Sequence, residues 1–431
     1  MKFISTRNSD KKFTFYDALF AGLAPDGGLF IPEKFPLFDK ETLKHAADDS
    51  LTELGERIMV EFISELPTDA LQQIIRDALN FPIPLVMLEK NLYLLEVFHG
   101  PTFSFKDVGA RFMANMLSYF LTNEDKKLKI IVATSGDTGS AIGNAFHLMP
   151  NIDVYILYPE NKITHLQEQQ ITTLGDNIHA IEVKGTFDDC QLLVKSALLD
   201  KDIREAGLIT TANSINISRL LPQTIYHSFG ICQLLKENIH ASPVMVVPSG
   251  NFGNLTSAIY AKKIGFDVKH FVAATNINDI VPQYLQSGIF TPKPSKHSLS
   301  NAMDVGNPSN FERLLANFNG DFQALRNAVL GSAITDAETL AEIRNTYASE
   351  QYILDPHTAV GVAAARKLKQ YTGSPIIVTA TAHPAKFPEV IQEAIGKQAE
   401  VPELLQAALA GTKQTVPLMP DFREFKALLL G

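Results

Sequence analysis

The feature that most constrains the fold is an alternation of short apolar runs with helical patterns, which begins near residue 129. The apolar runs of a first series cover residues 129–134, 154–158, 178–183 and 208–212. The helical patterns between them cover residues 140–148, 163–174 and 187–205. Strands that alternate with helices in this way form βαβ units, which build a parallel sheet between helices.

A second series has the same character. Its apolar runs cover residues 244–247, 270–274 and 376–380, and its helical patterns cover 218–236, 253–264 and 356–370. We therefore predict an α/β fold with two parallel sheets, the first series inserted into the second. The expected units are an N-terminal segment (1–90), a large domain (91–106 and 214–431, with a helical cap from about 386) and a smaller domain (107–213).

The composition indicates an ordinary globular protein. Of 431 residues, 45% are hydrophobic and 20% are charged, which is ample for more than one core. The formal net charge of -9 argues against a nucleic-acid partner or an anionic membrane surface. An anionic substrate would need a locally positive pocket.

The sequence also predicts where the protein is located and whether its cysteines are reduced. The N-terminus is polar and no apolar run is long enough to span a membrane, so we expect a cytoplasmic protein. Cys190 and Cys232 are far apart and show no metal spacing, so we expect them to be reduced and buried. The eleven histidines show no HExxH spacing, and we predict no metal.

A lysine among aromatic neighbours is the first candidate for chemistry. Lys106 follows Phe103 and Phe105 in the stretch FHGPTFSFKD. Burial favours the neutral amine, and a Schiff-base nucleophile must be neutral. The alternative is a lysine at the edge of a core, whose stem covers a phenylalanine while its amine stays in water. This stretch alone leaves both interpretations open.

Two Gly-containing turns each follow a predicted strand and precede a predicted helix, where anions bind in α/β proteins. In TSGDTG, the backbone and the hydroxyls of Thr134, Ser135 and Thr138 could bind a carboxylate, whereas Asp137 would repel one. PSGNFGN, at 248–254, has neither the lysine of a nucleotide P-loop nor the full GxGxxG motif. It suits a phosphate that belongs to a bound cofactor. The alternative for both is a structural turn and helix cap.

Two further segments follow strands. NSINISR, at 213–219, combines amides, hydroxyls and a guanidinium, which can bind phosphate oxygens in a bidentate manner. Its alternative is a capped helix start with a surface arginine. In TAHPAKF, at 381–387, the hydroxyl of Thr381 could meet a ring nitrogen, while His383 before a proline is more often structural.

Together these motifs resemble a known family. HGPTxxFKD, TSGDTG, NSxNxxR, SGNFGN and TAHPAKF occur in this order, and the match extends over nearly the whole chain. The sequence resembles the threonine synthase family, in its longer bacterial and fungal type. That family belongs to the β-family (fold type II) of pyridoxal-phosphate enzymes, which includes the tryptophan synthase β subunit.

The resemblance implies a role for each motif. Lys106 forms the Schiff base with pyridoxal 5'-phosphate, Thr381 approaches the pyridine nitrogen, and Asp137 lies beside the 3-hydroxyl, where many relatives carry asparagine. The cofactor phosphate is held by Gly250, Asn251, Phe252, Gly253 and Asn254. The substrate carboxylate is bound by Ser135 and Thr138, together with Thr134. The substrate phosphate is bound by Asn213, Ser214, Asn216 and Arg219.

The implied activity is that of a carbon–oxygen lyase acting on phosphate. It converts O-phospho-L-homoserine and water to L-threonine and phosphate, by γ-elimination followed by β-addition of water, in a monomer or homodimer. One rival is a threonine or serine dehydratase or a cysteine synthase-like enzyme, which would not need a phosphate site at 213–219. A second rival is a binding protein that has lost the chemistry, which an intact Lys106 disfavours. A nucleotide-binding protein would need phosphate-loop motifs that the sequence lacks.

Overall fold

A computed structural model describes residues 1–122, 127–368 and 373–431. Its strands are β1 (Phe3–Ser5), β2 (Phe30–Pro32), β3 (Leu85–Glu89), β4 (Leu92–Glu96), β5 (Leu128–Ala133), β6 (Ile152–Pro159), β7 (Ile178–Val183), β8 (Leu208–Thr211), β9 (Val244–Pro248), β10 (His270–Thr275), β11 (Val329–Ala333), β12 (Ile376–Ala380) and β13 (Val416–Leu418).

The α-helices are α1 (Phe15–Ala21), α2 (Lys40–Ala46), α3 (Leu51–Phe62), α4 (Thr68–Ala78), α5 (Lys106–Leu121), α6 (Asp137–Phe146), α7 (His165–Thr172), α8 (Phe187–Leu199), α9 (Lys201–Ala206), α10 (Ile217–Leu220), α11 (Gln223–Lys236), α12 (Gly253–Lys263), α13 (Ile280–Ser287), α14 (Phe311–Ala316), α15 (Phe322–Ala328), α16 (Asp336–Glu350), α17 (Pro356–Arg366), α18 (Pro388–Ile395), α19 (Glu403–Leu409) and α20 (Phe422–Leu430).

The larger sheet has six strands in the order β11-β10-β9-β12-β4-β3. Neighbouring strands in this sheet are parallel, except that β3 pairs antiparallel with β4. Every residue of β4, β9 and β12 is buried, because α12 covers one face of the sheet and α17 the other. Continuous apolar runs are typical of parallel strands covered on both faces.

The smaller sheet has five parallel strands in the order β13-β7-β6-β5-β8. Helix α8 packs on one face, and α6 and α7 pack on the other. The predicted α/β fold with two parallel sheets is therefore confirmed. The sequence did not indicate β11, because it is half exposed and contains Gly331 and Ser332 in place of an apolar run.

The C-terminus differs from the expectation that residues 214–431 all belong to the larger domain. Strand β13 pairs with β7 at the edge of the smaller sheet, and α20 packs against α8 and α9. Phe425 and Leu429 are buried in the same core cluster as Cys190. An unpaired sheet edge and an amphipathic helix both favour this arrangement. The larger sheet also begins earlier than residue 91, at Leu85 in β3.

Three predicted helices have different limits in the structure. Helix α6 begins at Asp137 and not at residue 140, so the polar end of TSGDTG forms its first turn. The predicted helix 187–205 is divided at Asp200, which caps α9 by accepting a hydrogen bond from Ile203. The predicted helix 218–236 is divided before Pro222. Residues 369–370 of the predicted helix 356–370 lie outside the described residues.

The N-terminal segment connects the two sheets. β1 and β2 form a small antiparallel pair, α1 packs beside β8, and α3 and α4 pack against α11 and α5. Both cysteines are free and buried. In the described parts of the chain, no helix combines the length and the apolar character that crossing a bilayer requires.

The attachment of the C-terminal helix can be tested by truncating its main buried side chain. Phe425→Ala removes a fully buried ring between α20 and the smaller sheet, which we expect to lower the free energy of unfolding by about 3–5 kcal/mol. Urea denaturation followed by circular dichroism measures the change. Leu430→Ala, at a 43% exposed position of the same helix, is the control and should change it by less than about 0.5 kcal/mol. A loss below about 1 kcal/mol for Phe425→Ala would contradict this packing.

Candidate active site

Loops from both sheets line one cavity. They follow β4, β5, β8, β9 and β12 at the carboxyl ends of these strands, where α/β proteins bind ligands. The cavity encloses about 890 Å³ between atoms, its open mouth included.

The loop after β4 places Lys106 in this cavity. Ser104 forms a β-bridge with Ala382, and the Phe105 N–H donates to the Thr381 carbonyl oxygen at 2.9 Å. Phe103 adopts the left-handed region at φ 57°, which turns the chain into α5. The backbone therefore holds Lys106 beside the loop that follows β12.

Asp107 fixes the turn that precedes the lysine. The Thr102 N–H donates to Asp107 Oδ2 at 2.9 Å and the Thr102 hydroxyl donates to Oδ1 at 2.6 Å. A Cβ at Gly100 would lie 2.5 Å from Asp107 Oδ2, so this close approach requires glycine. We did not predict this role for Asp107, because a sequence motif does not show which way each side chain points.

The amine of Lys106 faces the cavity and not bulk water. Its side chain is 15% exposed, and Nζ lies 4.7 Å from the centre of the Phe105 ring and 3.6 Å from Asp137 Oδ2. Burial lowers the pKa of Lys106, and the positive charges of Lys386 and Arg219 lower it further, against the opposing effect of Asp137. A buried amine with a lowered pKa is neutral more often than an exposed lysine, as a nucleophile or base requires.

A second lysine, which we did not predict as part of the site, binds the same carboxylate. Lys386 is fully buried, and its Nζ lies 2.8 Å from Asp137 Oδ1 and 2.9 Å from the Thr102 carbonyl oxygen. Gln167 also donates to Asp137 Oδ1, at 2.9 Å. Burial alone would raise the pKa of Asp137, but the charges of Lys386 and Lys106 hold it well below its usual range. Asp137 is therefore ionised.

The turn after β5 forms one uncapped helix N-terminus. The buried hydroxyl of Thr134 accepts hydrogen bonds from the N–H groups of Gly136, at 3.0 Å, and Gly139, at 2.8 Å. It therefore fixes the turn from within. Ser135 and Thr138 are half buried and line the cavity at the start of α6, which has no side-chain cap. Free amides and hydroxyls at this position favour an anion.

The turn after β9 forms a second helix N-terminus without a side-chain cap. Phe252 lies in the left-handed region at φ 61°, and α12 begins at Gly253 without a side-chain cap. A Cβ on Gly250 would lie 2.7 Å from Met303 Cα, so the turn packs tightly beneath the 301–303 segment. Asn254 accepts hydrogen bonds at Oδ1 from Tyr226 and His227, while its buried Nδ2 has no protein partner. An unpartnered donor beside free helix amides suits a bound anion.

The segment after β8 contacts this second turn. Ser214 Oγ accepts hydrogen bonds of 3.0 Å from the side-chain amides of Asn251 and Asn310. Asn213 lines the cavity, but its amide binds the backbone of Ala133. Asn216 does not line the cavity: it is fully buried, caps α10, and donates to carbonyl oxygens elsewhere in the core.

Arg219 is a buried cation at the cavity wall. It is 2% exposed, its guanidinium donates to the Ala212 carbonyl oxygen, and its Nε has no partner. Within the described ranges it forms no salt bridge with a carboxylate. Burial lowers the pKa of Arg219 to about 10, so it stays charged at neutral pH. This is not the surface arginine of the alternative interpretation, and a buried unpaired charge favours an anionic ligand.

The loop after β12 completes the site. Thr381 is buried and lines the cavity, and its N–H donates to the Thr358 hydroxyl at 3.2 Å. His357, which we did not predict, also lines the cavity. Its Nδ1 contacts Asp355 Oδ1 at 2.9 Å and its Nε2 accepts from the Ala302 N–H at 3.1 Å. This histidine therefore supports the 301–303 segment.

No cluster of three or more His, Cys, Asp or Glu residues that could hold a metal ion forms in the described residues. Among the described residues, the titratable side chains that line the cavity are Lys106, Asp137, Arg219 and His357, and Lys386 lies behind Asp137. They provide an amine with a lowered pKa, one fixed carboxylate and cationic charge, together with two helix N-termini for anions. This set can perform covalent chemistry on an anionic amino acid.

Known proteins match the chain from end to end. The family described as pyridoxal-phosphate dependent enzyme matches residues 79–381, the threonine synthase N terminus matches 2–79, and the threonine synthase C-terminal family matches 358–428. The threonine synthase of Haemophilus influenzae is 40% identical over 437 residues, with 100% of both chains covered.

Solved structures agree with this match. A crystal structure of threonine synthase from Escherichia coli has a TM-score of 0.94 at 37% identity and covers 100% of this chain and 99% of its own. A PLP-bound threonine synthase from Brucella melitensis has a TM-score of 0.91 at 34% identity, with the same coverage.

Proposed function

Because the chain belongs to the threonine synthase family, we propose that it converts O-phospho-L-homoserine and water to L-threonine and phosphate, with pyridoxal 5'-phosphate as cofactor. The observation that carries the proposal is Arg219. This buried cation lies at the wall of the cavity that contains Lys106, and it forms no salt bridge with any carboxylate of the described residues. A phosphorylated substrate supplies the missing negative charge. A small hydroxy-amino acid does not.

The residues present fit the cofactor. Lys106 would hold its aldehyde carbon, since the amine is buried in the cavity with a lowered pKa. The turn from Gly250 to Asn254 would hold its phosphate, because α12 begins there uncapped and Asn254 Nδ2 has no partner. When bound, pyridoxal 5'-phosphate withdraws electrons from the α-carbon of an attached amino acid.

Two residues face the cofactor ring in this proposal. Thr381 offers a neutral hydroxyl, which does not hold a proton on the pyridine nitrogen as a carboxylate would. Asp137 is ionised and can only accept hydrogen bonds, so it would accept one from the 3-hydroxyl. An asparagine at this position could donate as well as accept.

Lys106 carries the protons in this proposal. When Nζ of Lys106 is not bonded to the cofactor, Lys106 is the general base that takes the α-proton of the substrate. The same amine returns a proton to that carbon after water has added at the β-carbon. The burial that lowers the pKa of Lys106 makes its neutral, basic form easier to reach than in an exposed lysine. A single amine can serve several transfers because it stays at one side of the substrate.

The substrate would be held at its two anionic ends. Ser135, Thr138 and the amides at the start of α6 would bind the carboxylate. Arg219, with Ser214, would bind the phosphate. Thr134 and Asn216 act indirectly: Thr134 fixes the turn, and Asn216 caps the helix, that present these groups.

We also propose that the protein is located in the cytoplasm and that it is a monomer or a homodimer.

A product assay tests the proposed reaction. With O-phospho-L-homoserine we expect L-threonine and phosphate in equal amounts, because elimination releases one phosphate for each water added. Amino-acid analysis and a phosphate assay measure the two products. L-threonine and L-serine serve as alternative substrates, and their faster conversion to 2-oxo acids would identify a dehydratase and contradict the proposal.

The role of Arg219 predicts a specific kinetic change. Arg219→Ala should raise the KM for O-phospho-L-homoserine by roughly 10- to 100-fold, since it removes a hydrogen-bonded charge pair with the phosphate. Steady-state kinetics measures this, and the visible absorbance of the bound cofactor should be retained. Arg423→Ala, at a side chain that is 91% exposed, is the control. An unchanged KM for the Arg219 variant would remove Arg219 from the phosphate site.

The tight packing of Gly250 predicts a loss of cofactor affinity. In Gly250→Ala the new methyl group would lie 2.7 Å from the Met303 backbone, so the turn must move away from the phosphate. We expect the Kd for pyridoxal 5'-phosphate to rise at least about tenfold, measured by absorbance titration. Gly207→Ala, where no atom lies within 4 Å of the new Cβ, should bind normally. Equal affinities would show that this turn does not hold the phosphate.

A further inference from the structure

Two lysines share one buried carboxylate, but they are held differently. Lys386 is completely buried, and its ammonium group contacts both Asp137 Oδ1, at 2.8 Å, and the Thr102 carbonyl oxygen, at 2.9 Å. Lys106 is 15% exposed, and its Nζ lies 3.6 Å from Asp137 Oδ2, which is beyond a normal hydrogen bond. Lys386 is therefore the hydrogen-bonded partner of the Asp137 carboxylate, whereas the amine of Lys106 is not held by a hydrogen bond to it.

The contact between Lys386 and Asp137 also joins the two sheets. Lys386 follows β12 of the larger sheet, whereas Asp137 begins α6 beside the smaller sheet. The Thr164 hydroxyl donates to the Lys386 carbonyl oxygen at 3.3 Å, and Asn301 donates to Gln167 at 3.3 Å across the same boundary. The position of Lys386 relative to the cavity is thus fixed from both sides.

The charges around Lys106 come from three elements. Asp137, on α6, is the anion that favours protonation of Lys106. Two cations oppose this protonation: Lys386, in the loop after β12, and Arg219, on α10. If Lys386 were neutral, Asp137 would act on Lys106 with its full charge. Charges at such distances in a protein interior interact strongly enough to change a protonation state.

From this geometry we propose that Lys386 is a positioning residue: it neutralises Asp137 and so keeps the amine of Lys106 unprotonated and free to react. The inference deepens the proposed function and rests on it. Only a neutral amine can attack the aldehyde of the cofactor, with formation of the bond from Nζ to the carbonyl carbon and loss of the oxygen as water. Lys386 acts on this step through Asp137 without contact with the reacting atoms.

The test measures the protonation of Lys106 directly. Full-length protein, freed of cofactor with hydroxylamine, is labelled with trace acetic anhydride over a range of pH, and the acetylated Lys106 peptide is quantified by mass spectrometry. In Lys386→Met we expect the midpoint of labelling to rise by at least about one pH unit, which corresponds to about tenfold lower reactivity below both midpoints. Lys201, whose side chain is 84% exposed, is the internal reference.

Three variants separate charge from structure. Lys386→Arg keeps the positive charge and should leave the midpoint within about 0.3 units of the wild type. Lys386→Met combined with Asp137→Asn removes both charges and should return the midpoint to the wild-type value or below it. Lys367→Met removes a lysine from the surface pair with Glu338 and should change nothing.

A midpoint that stays unchanged or falls in folded Lys386→Met protein would overturn the proposal. Circular dichroism establishes that the variant is folded. If it is not, Lys386→Gln, whose amide can still donate to both acceptors, decides the question by the same criterion. The labelling experiment needs no turnover, so a failure of this inference is distinct from a failure of the product assay.

Discussion

The ion pair between the carboxylate of Asp137 and the ammonium group of Lys386 is the interaction on which the site depends. It lies next to the amine of Lys106, and it crosses from one sheet to the other. A buried ion pair gives little net stability, but the removal of one partner leaves a buried charge that is costly. The pair therefore fixes both the geometry of the two sheets and the state of the amine between them.

The fold brings two candidate anion sites to the cavity that contains this amine. Helices α6 and α12 both begin at the cavity without a side-chain cap, one behind each sheet. Because parallel strands end at the same edge, the loops that follow them converge without special interactions. One helix start is suited to the substrate carboxylate and the other to the cofactor phosphate. Arg219 lines the same cavity, and in the proposed function it is the cation for a second phosphate.

The sequence predicted the features that depend on local pattern. The buried strands are visible as apolar runs, and the polar turns that follow β5 and β9 are visible as Gly-containing motifs, so Lys106 and the residues of 250–254 lie in one cavity as expected. Other features depend on contacts between distant segments. The pairing of Lys386 with Asp137 joins residues about 250 positions apart, and the C-terminal strand β13 has only three residues. Asn216 was placed in the site by its motif, yet it serves as a helix cap. A motif shows that residues belong together, but it does not show which way each side chain points.

We propose that Lys106, and not its buried neighbour Lys386, holds the cofactor. Reduction of the purified protein with borohydride, followed by digestion and mass spectrometry, tests this most directly, since reduction fixes the cofactor on the lysine that carries it. We expect one modified peptide, with the phosphopyridoxyl group on Lys106. The same group on Lys386, or on any other lysine, would contradict the account.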